Sequence, residues 1–166
     1  MYDELTEVDI KKMEEEILYR ESVLAPKLGE ELRRTREFGD LSENAEYKEA
    51  KREKRRNEGR IRYLRNMIRT ARIIDPEATD GIALFDKVTL LNEKNGQERQ
   101  IQIVTTLRQN ALEGLISKEA PLGAALLGHK EGERVLITVS PTMSYYVKIL
   151  KVEKGTDDES IPISNY

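Results

Sequence analysis

The feature that most constrains the fold of this chain is a heptad seam between residues 47 and 71. Residues recur there at alternating steps of three and four, the spacing that keeps one face of a helix against a partner helix. The eight seam positions are Tyr47, Ala50, Lys54, Asn57, Ile61, Leu64, Ile68 and Ala71. The first half of the seam is polar, at Lys54 and Asn57, and the second half is apolar. The pattern predicts a long helix that packs along another helix.

A second periodic segment, residues 5–37, supplies the partner helix. Its apolar residues also recur at three-to-four spacing, and Arg20 occupies one seam position. These apolar residues are Ile10, Met13, Ile17, Leu24, Leu28 and Leu32. Thr6 and Asp9 are suitable caps for its start. Pro26 lies inside the segment, and we expect it to kink the helix or split it in two, because proline has no N–H to donate.

The connection between the two periodic segments is short, since only residues 38–44 separate them. Gly39 suits the C-terminus of the first helix, and Asp40, Ser42 or Asn44 can cap the second. A connection this short makes the helices fold back antiparallel. The sequence therefore predicts a helical hairpin with arms about 45 Å long.

Beyond residue 75 the pattern is typical of short strands. Asn95-Gly96 is a strong hairpin signal between the first two strands. The predicted strands are Phe85–Leu91, Gln100–Val104, Leu112–Ile116, Arg134–Val139 and Tyr145–Val152. A short helix is expected over Ala120–Leu127, which has a proline near its start.

The sequence thus predicts an α+β protein, in which an N-terminal antiparallel α-helical hairpin precedes a small β-sheet domain with a short helix. We assign residues 1–75 to the hairpin, 76–80 to a linker, 81–153 to the sheet domain and 154–166 to a loose acidic tail. Gly59 costs the second helix about 1 kcal/mol relative to alanine. We therefore expect Gly59 to permit close approach of the partner helix.

The net charge of −3 conceals a strong asymmetry along the chain. Residues 48–72 hold 11 basic and 3 acidic residues, whereas residues 1–47 hold 7 basic and 14 acidic residues. Two interpretations explain this basic segment equally well. It can be a solvated helix face that the acidic partner arm neutralises, or a stripe of cations directed at a phosphate backbone. Arg52, Arg55 and Arg56 lie in this segment, and some of them are expected to pair across the hairpin with Glu14–Glu16, Glu30 and Glu31.

Composition excludes several kinds of site. The chain has no cysteine, so disulfides, thiolate metal sites and cysteine nucleophiles are excluded. Its single histidine, His129, lies in a polar run that predicts an exposed loop. No run reaches the roughly 18 apolar residues of a membrane span, and the N-terminus has no signal-peptide pattern. We expect a cytosolic protein whose chemistry, if any, depends on carboxylates.

The stretch Glu37–Tyr47 resembles the hairpin-tip signature of Gre transcript-cleavage factors nearly residue for residue. The segments Glu58–Ile61 and Ala71–Asp75 are also similar to that family. Ala120–Gly128 resembles its Ser-Pro-Leu-Gly element, with Ala120 in place of the serine. The resemblance spans roughly residues 5–153. It implies a coiled-coil hairpin followed by a domain of the FK506-binding-protein-like (FKBP-like) fold.

This resemblance also implies a function. The hairpin of such a factor enters the secondary channel of bacterial RNA polymerase, where its acidic tip helps to hold a second Mg²⁺ and orients a water. The polymerase then cleaves backtracked RNA, so the factor is an accessory protein rather than an enzyme. Asp40 and Glu43 match the acidic pair, and their oxygens suit a hard cation that is shared with a host enzyme. No cofactor is expected to bind stably to the factor alone.

Two further sets of residues follow from the resemblance. A basic patch is expected to contact the 3′ segment of the extruded RNA, through Lys48, Lys51, Arg52, Arg55 and Arg56. Pro121, Leu122 and Gly123 are expected to contact the polymerase. The run Lys54–Asn57 is more basic than the family pattern, which favours a divergent member. We expect a monomer.

Other interpretations remain open at the level of sequence. Asp40-x-x-Glu43 also has the spacing of a helix capping box, and both acids favour a helix N-terminus. A Gre homologue can occupy the channel and inhibit without stimulating cleavage. A prolyl isomerase would need an aromatic pocket, for which the second domain offers only Phe85, Tyr145 and Tyr146. A coiled-coil adaptor without an active-site role would tolerate neutral substitutions at the tip.

Overall fold

Helical and strand residues fall into two units of the chain. The structure, a computed structural model, describes residues 3–37, 44–76 and 80–165. Ile10–Ala71 form the hairpin unit, and Asp3–Asp9 with Arg72–Tyr166 form the sheet unit. The predicted α+β class is confirmed, because long helices precede a curled sheet with a short helix. No helix in the described parts of the chain is long and apolar enough to cross a membrane.

The hairpin has two arms that run antiparallel. Its helices are α1 (Glu7–Tyr19), α2 (Ala25–Arg36) and α3 (Ala45–Thr70). Residue numbers fall along one arm as they rise along the other, as the ion pairs Glu16–Arg60 and Arg34–Glu46 illustrate. The predicted seam is confirmed for α3, where Ala50, Asn57, Ile61 and Leu64 are buried. Lys54 occupies a seam position in sequence but its side chain is exposed.

The start of α1 is closed by the two residues predicted as caps. The backbone N–H of Thr6 donates to Asp9 Oδ2 at 3.0 Å, and the N–H of Asp9 donates to Thr6 Oγ1 at 3.3 Å. This reciprocal pair is a capping box, which satisfies N–H groups that an α-helix leaves free at its start.

The first arm is divided close to Pro26, as the sequence predicts. A π-helical turn, Arg20–Leu24, separates α1 from α2, and the N–H of Ala25 donates to the carbonyl of Arg20 five residues earlier. In a regular helix the ring of Pro26 would clash with the carbonyl of Ser22. The wider π-turn immediately before Pro26 relieves this conflict while the helix continues.

A polar layer crosses the hairpin next to the π-turn. Arg20 Nη1 donates to Asn57 Oδ1 at 3.0 Å, and Arg20 Nε donates to Glu16 Oε2 at 2.9 Å. Arg60 Nε also donates to Glu16 Oε2, at 2.7 Å. Burial opposes ionisation of Glu16, but the hydrogen bonds from Arg60 and Arg20 outweigh it and lower the pKa of its carboxyl. The layer is therefore charged at neutral pH.

The sheet unit is built on five strands in the order β5-β4-β3-β7-β6. They are β3 (Lys87–Asn92), β4 (Glu98–Val104), β5 (Leu115–Ser117), β6 (Arg134–Ser140) and β7 (Met143–Glu153). The hairpin predicted at Asn95-Gly96 is confirmed, with Gly96 at a φ of 71°. Helix α4 (Pro121–Leu126) places Leu126 in the main core. The predicted strand Leu112–Ile116 is instead a 3-10 turn, Ala111–Glu113, followed by β5.

Two short strands were not predicted from the sequence. β1 (Glu4–Leu5) pairs in parallel with β2 (Arg72–Ile73), so the segments on either side of the hairpin unit lie side by side in the sheet unit. Lys118 contacts Glu4, and the hydrogen bond from this lysine lowers the pKa of Glu4. Two-residue strands are too short for periodicity to reveal them.

The residues expected to form a loose tail are packed against the sheet unit. The N–H of Gly155 donates to Asp86 Oδ1 at 3.0 Å, and that of Ser164 donates to the carbonyl of Leu107 at 2.7 Å. Ile161 and Ile163 are buried. Polar composition led to the expectation of disorder, but two isoleucines and the partners of buried Arg108 hold the segment in place.

Arg108 is fully buried and collects partners from distant parts of the chain. Its Nε donates to Asp9 Oδ1 at 2.7 Å, its Nη1 donates to the carbonyl of Asp158 at 3.0 Å, and its Nη2 contacts Asp157. The guanidinium lies 4.8 Å from the centroid of the Phe85 ring. A buried charge is tolerated only when its donors are satisfied, so Arg108 requires all these segments together.

Gly59 was expected to permit close approach of the other arm, but no atom of that arm lies near it. A Cβ added there would meet only Arg62 Nη2, at 3.9 Å, and no atom of the other arm. Gly59 therefore does not serve close helix packing.

Replacement of Gly59 by alanine is expected to stabilise the hairpin unit. Gly59→Ala should raise its free energy of unfolding by about 0.5–1 kcal/mol, because alanine loses less backbone entropy in a helix. Thermal unfolding followed by circular dichroism measures the change. Gly29→Ala in α2 is the matched control, because its added methyl meets no atom within 4 Å and should give a similar gain.

Glu16 should give the hairpin a pH-dependent stability. Its pKa is lowered in the folded state, so its contribution is complete above the unfolded value of about 4.3 and is lost as the pH falls through the folded pKa. The stability advantage of the unsubstituted protein over Glu16→Gln should therefore shrink in thermal melts as the pH is lowered below about 4.3. Glu15→Gln, at an exposed neighbour, is the control. An advantage that stays constant to low pH would contradict this role.

Candidate functional site

The acidic pair Asp40 and Glu43 lies outside the described residues, but the helix ends that flank it are described. Asn44 Nδ2 donates to the carbonyl of Thr35 at 3.0 Å, and Arg34 contacts Glu46 at 3.5 Å. The chain therefore leaves α2 and enters α3 at adjacent points. The segment that carries the acidic pair is bounded by these two contacts at one end of the hairpin unit.

The cap of α3 is Asn44. Its Oδ1 accepts a hydrogen bond from the N–H of Tyr47 at 3.0 Å, and α3 begins at Ala45. Asn44 is therefore the N-cap of α3. Of the three caps that the sequence offered, Asp40, Ser42 and Asn44, the structure identifies the last.

The five predicted RNA-binding side chains are all exposed on α3, and the structure divides them into two groups. Arg52 and Arg56 are paired with acids three residues earlier on the same helix, Glu49 and Glu53, each at 2.8 Å. These pairs differ from the expectation that such arginines reach acids of the other arm. The cross-hairpin pairs are made instead by basic residues nearer the end of α3, in Glu16–Arg60 and Glu21–Arg65.

Lys48, Lys51 and Arg55 have no acidic partner among the residues that the structure describes. Lys51 Nζ lies 5.9 Å from the centroid of the Tyr47 ring, which leaves its charge uncompensated. Steps of three and four residues place these three cations on one face of α3. Arg62 continues this face by seven residues, and the sequence analysis missed it because it lies beyond the densest part of the basic run. We call Lys48, Lys51, Arg55 and Arg62 the cation row.

The cation row extends along about 21 Å of α3. From Lys48 to Arg62 the helix rises about 21 Å, since each residue adds about 1.5 Å. Exposed cations without carboxylate partners attract phosphates more strongly than cations already in ion pairs. The row is thus the part of α3 best suited to a phosphate backbone.

The predicted polymerase-binding residues of α4 differ in accessibility. Pro121 is exposed, Leu122 is half-buried against the main core, and Gly123 is buried. A Cβ at Gly123 would lie 2.2 Å from the carbonyl oxygen of Ser117. Gly123 therefore permits close packing of α4 on the end of β5.

The aromatic residues considered for an isomerase pocket are engaged in other contacts. Phe85 is buried against Arg108, and Tyr146 lies under the guanidinium of Arg134, 3.6 Å from the ring centroid. Tyr145 packs against the main core. His129 lies in an exposed loop as predicted, with its Nδ1 2.6 Å from Glu133 Oε2.

Both halves of the chain match models of known protein families. A model described as transcription elongation factor, N-terminal, matches residues 4–73, and one described as transcription elongation factor, GreA/GreB, C-terminal, matches residues 77–154. Transcription elongation factor GreA of Caldanaerobacter subterraneus subsp. tengcongensis is 38% identical over 152 residues, which cover 90% of this chain and 96% of that protein. The chain belongs to the GreA/GreB family.

A second relative agrees with this membership. Transcription elongation factor GreA of Bacillus licheniformis is 39% identical over 150 residues, covering 89% of this chain and 94% of that protein. Among solved structures, GreA factor homolog 1 (Gfh1) of Thermus thermophilus is 23% identical, with coverage of 93% and 100% and a TM-score of 0.43. GreA/GreB from Nitrosomonas europaea is 25% identical, with coverage of 58% and 80% and a TM-score of 0.39.

The match to the GreA/GreB family does not include the last residues of this chain. The C-terminal family model ends at residue 154, and the packed segment that supplies Asp157 and Ile161 follows that residue. The buried contacts of Arg108 are therefore completed by residues outside the matched region.

The packing role of Gly123 predicts a loss of stability on substitution. Gly123→Ala should lower the free energy of unfolding of the sheet unit by about 1–3 kcal/mol, because the added methyl overlaps a backbone oxygen. Thermal unfolding measures the loss. The same chemical change at Gly59 should have the opposite sign, and a gain at both positions would refute the close packing of α4.

Proposed function

We propose that this chain is an accessory factor that binds RNA polymerase and stimulates cleavage of backtracked nascent RNA. The observation that carries the proposal is the position of the cation row, which begins four residues after the Thr35–Asn44 contact that bounds the acidic segment. Membership of a family of transcription elongation factors supports it. In this function the hairpin enters the secondary channel of the polymerase, and the factor acts as a monomer.

Asp40 and Glu43 are the residues assigned to the chemistry. Carboxylate oxygens are the ligand type that Mg²⁺ prefers, but two carboxylates are too few to enclose the ion. The pair therefore fits an ion shared with the polymerase. Such an ion would supply charge stabilisation at the reacting phosphate.

The two carboxylates also have a role towards water. A carboxylate that accepts a hydrogen bond from the attacking water orients it towards the phosphodiester and favours the loss of its proton. The polymerase holds the RNA in this arrangement, so the factor completes an active site that it does not contain.

The cation row is assigned to the RNA 3′ segment. Each uncompensated cation that meets a phosphate releases counterions, which makes binding stronger at low salt. Lys48, Lys51 and Arg55 follow the acidic segment closely along α3, so RNA held by the row extends towards the reacting phosphodiester. Of Pro121, Leu122 and Gly123, only Pro121 is exposed, and we assign it to a contact with the polymerase.

Neutral substitution of the acidic pair tests the function directly. Asp40→Asn and Glu43→Gln should each abolish most RNA shortening when added to a stalled, backtracked polymerase complex with Mg²⁺, because the amides are poorer ligands for the ion. Glu46→Gln is the matched control, since Glu46 contacts Arg34 in the first turn of α3 and should retain cleavage. Slowed elongation without cleavage by the unsubstituted factor would instead identify an inhibitor. Absence of any effect on a polymerase would exclude both functions.

The cation row predicts unequal effects of two neighbouring arginines. Arg55→Ala should raise the factor concentration for half-maximal cleavage and lower its salt dependence by about one counterion. Arg52→Ala, the matched control, removes a cation already paired with Glu49 and should have a smaller effect. Equal effects would show that the ion pairs open when RNA binds and that the row has no special role.

A further inference from the structure

The two arms of the hairpin have unequal repeats along their shared seam. On α3, the buried seam positions Ala50, Asn57 and Leu64 are separated by seven residues throughout. On the first arm, the positions Met13, Arg20, Leu28 and Thr35 are separated by seven, eight and seven residues. The first arm therefore contains one residue more than the heptad repeat requires, between Arg20 and Leu28.

An extra residue has a large effect in a regular helix. It turns every later side chain by about 100° about the helix axis. Leu28 would then leave the seam, and so would Thr35. In the structure Thr35 is fully buried and Leu28 is half-buried. The rotation is therefore absorbed, and the π-turn Arg20–Leu24 lies where the spacing of eight begins.

A side chain of the opposite arm holds the carbonyl at which this π-turn starts. Asn57 Nδ2 donates to the carbonyl oxygen of Arg20 at 3.2 Å, and the same oxygen accepts the π-helical bond from the N–H of Ala25. Asn57 Oδ1 accepts from Arg20 Nη1 at 3.0 Å. Asn57 is 3% exposed. Both polar atoms of this buried amide are hydrogen-bonded to one residue of the other arm, Arg20.

We propose that Asn57 is a positioning residue, which fixes the π-turn at Arg20 and thereby sets the rotation with which α2 packs on α3. A single buried asparagine at a seam position is known to specify helix register at some cost in stability. Here it specifies where the surplus residue is absorbed. The rotation of α2 also determines how the chain enters the segment of Asp40 and Glu43, and this consequence rests on the proposed function.

Pro26 provides the competing explanation. It lacks the N–H that would bond the carbonyl of Ser22, and this disfavours a regular turn in this part of the arm. A missing donor, however, does not select the carbonyl of Arg20. If Pro26 alone fixes the π-turn, Pro26→Ala will change the rotation of α2 and substitution of Asn57 will not.

Spin labels distinguish the two explanations. The chain has no cysteine, so Arg34→Cys and Glu46→Cys give unique label sites on α2 and α3, at residues that contact each other at 3.5 Å. Asn57→Asp keeps the acceptor for Arg20 and removes the donor to its carbonyl. It should broaden and shift the spin–spin distance distribution, as should Asn57→Leu. Pro26→Ala should leave the distribution unchanged.

Deletion of the surplus residue provides the rescue. Removing Val23, which is 52% exposed, restores a spacing of seven, and Pro26→Ala is included because a proline would interrupt the continuous helix. In this background Asn57→Leu should no longer alter the label distance. Deletion of Glu58 from α3 is the matched control, because α3 has no surplus residue and its packing should be lost.

Cleavage assays connect this device to the proposed function. Asn57→Asp, without labels, should lower the rate of RNA cleavage about fivefold to tenfold, as expected for loss of one buried hydrogen bond. The factor concentration for half-maximal effect should not change. An unaltered label distance in Asn57→Asp, or loss of packing after deletion of Val23, would overturn the inference. Altered distances in a protein that never stimulates cleavage would sustain the inference and reject the proposed function.

Discussion

The hydrogen bond from Asn57 to the carbonyl of Arg20 lies where two helical arms of unequal repeat must share one seam. The polar layer around it, with Glu16 and Arg60, contributes less to stability than an apolar layer would, because charges must be taken out of water. In exchange it fixes one alignment of the arms. On α3, Ile61 and Leu64 continue the seam with apolar side chains on one side of this layer. On the other side, Ala50 is the buried residue of α3 that lies nearest the acidic segment, within the part of the chain that the structure describes.

The same helix separates two uses of positive charge. Arg60 and Arg65 are paired with acids of the other arm, and they contribute to closing the hairpin. Arg52 and Arg56 are paired within α3, where such pairs are worth a few tenths of a kcal/mol. The cation row retains its charge. An acidic chain with a net charge of −3 thus keeps a strongly positive face on one helix, which concentrates its attraction for polyanions there.

Local patterns predicted much of this structure. The heptad seam gave the hairpin, Asn95-Gly96 gave the β3–β4 turn, and Thr6 with Asp9 gave the cap of α1, because each depends on residues close in sequence. Arg108 could not be predicted in this way, since its partners Asp9 and Asp157 are 99 and 49 residues away. The acidic pair was identified by its resemblance to a known family. The separation of the basic residues of α3 into paired and unpaired cations could be made only from the ion pairs seen in the structure.

The burial of Arg108 has a consequence for how the protein is made. Its two carboxylate partners are Asp9, in the first helical turn, and Asp157, which a ribosome adds 49 residues after Arg108. Until Asp157 is available, the Arg108 guanidinium cannot be enclosed without an unsatisfied donor, and Ile161 cannot cover Phe85. The hairpin needs only residues already synthesised. Biosynthesis therefore imposes an order, in which the hairpin can form before Asp157 has been added and the sheet unit closes only afterwards.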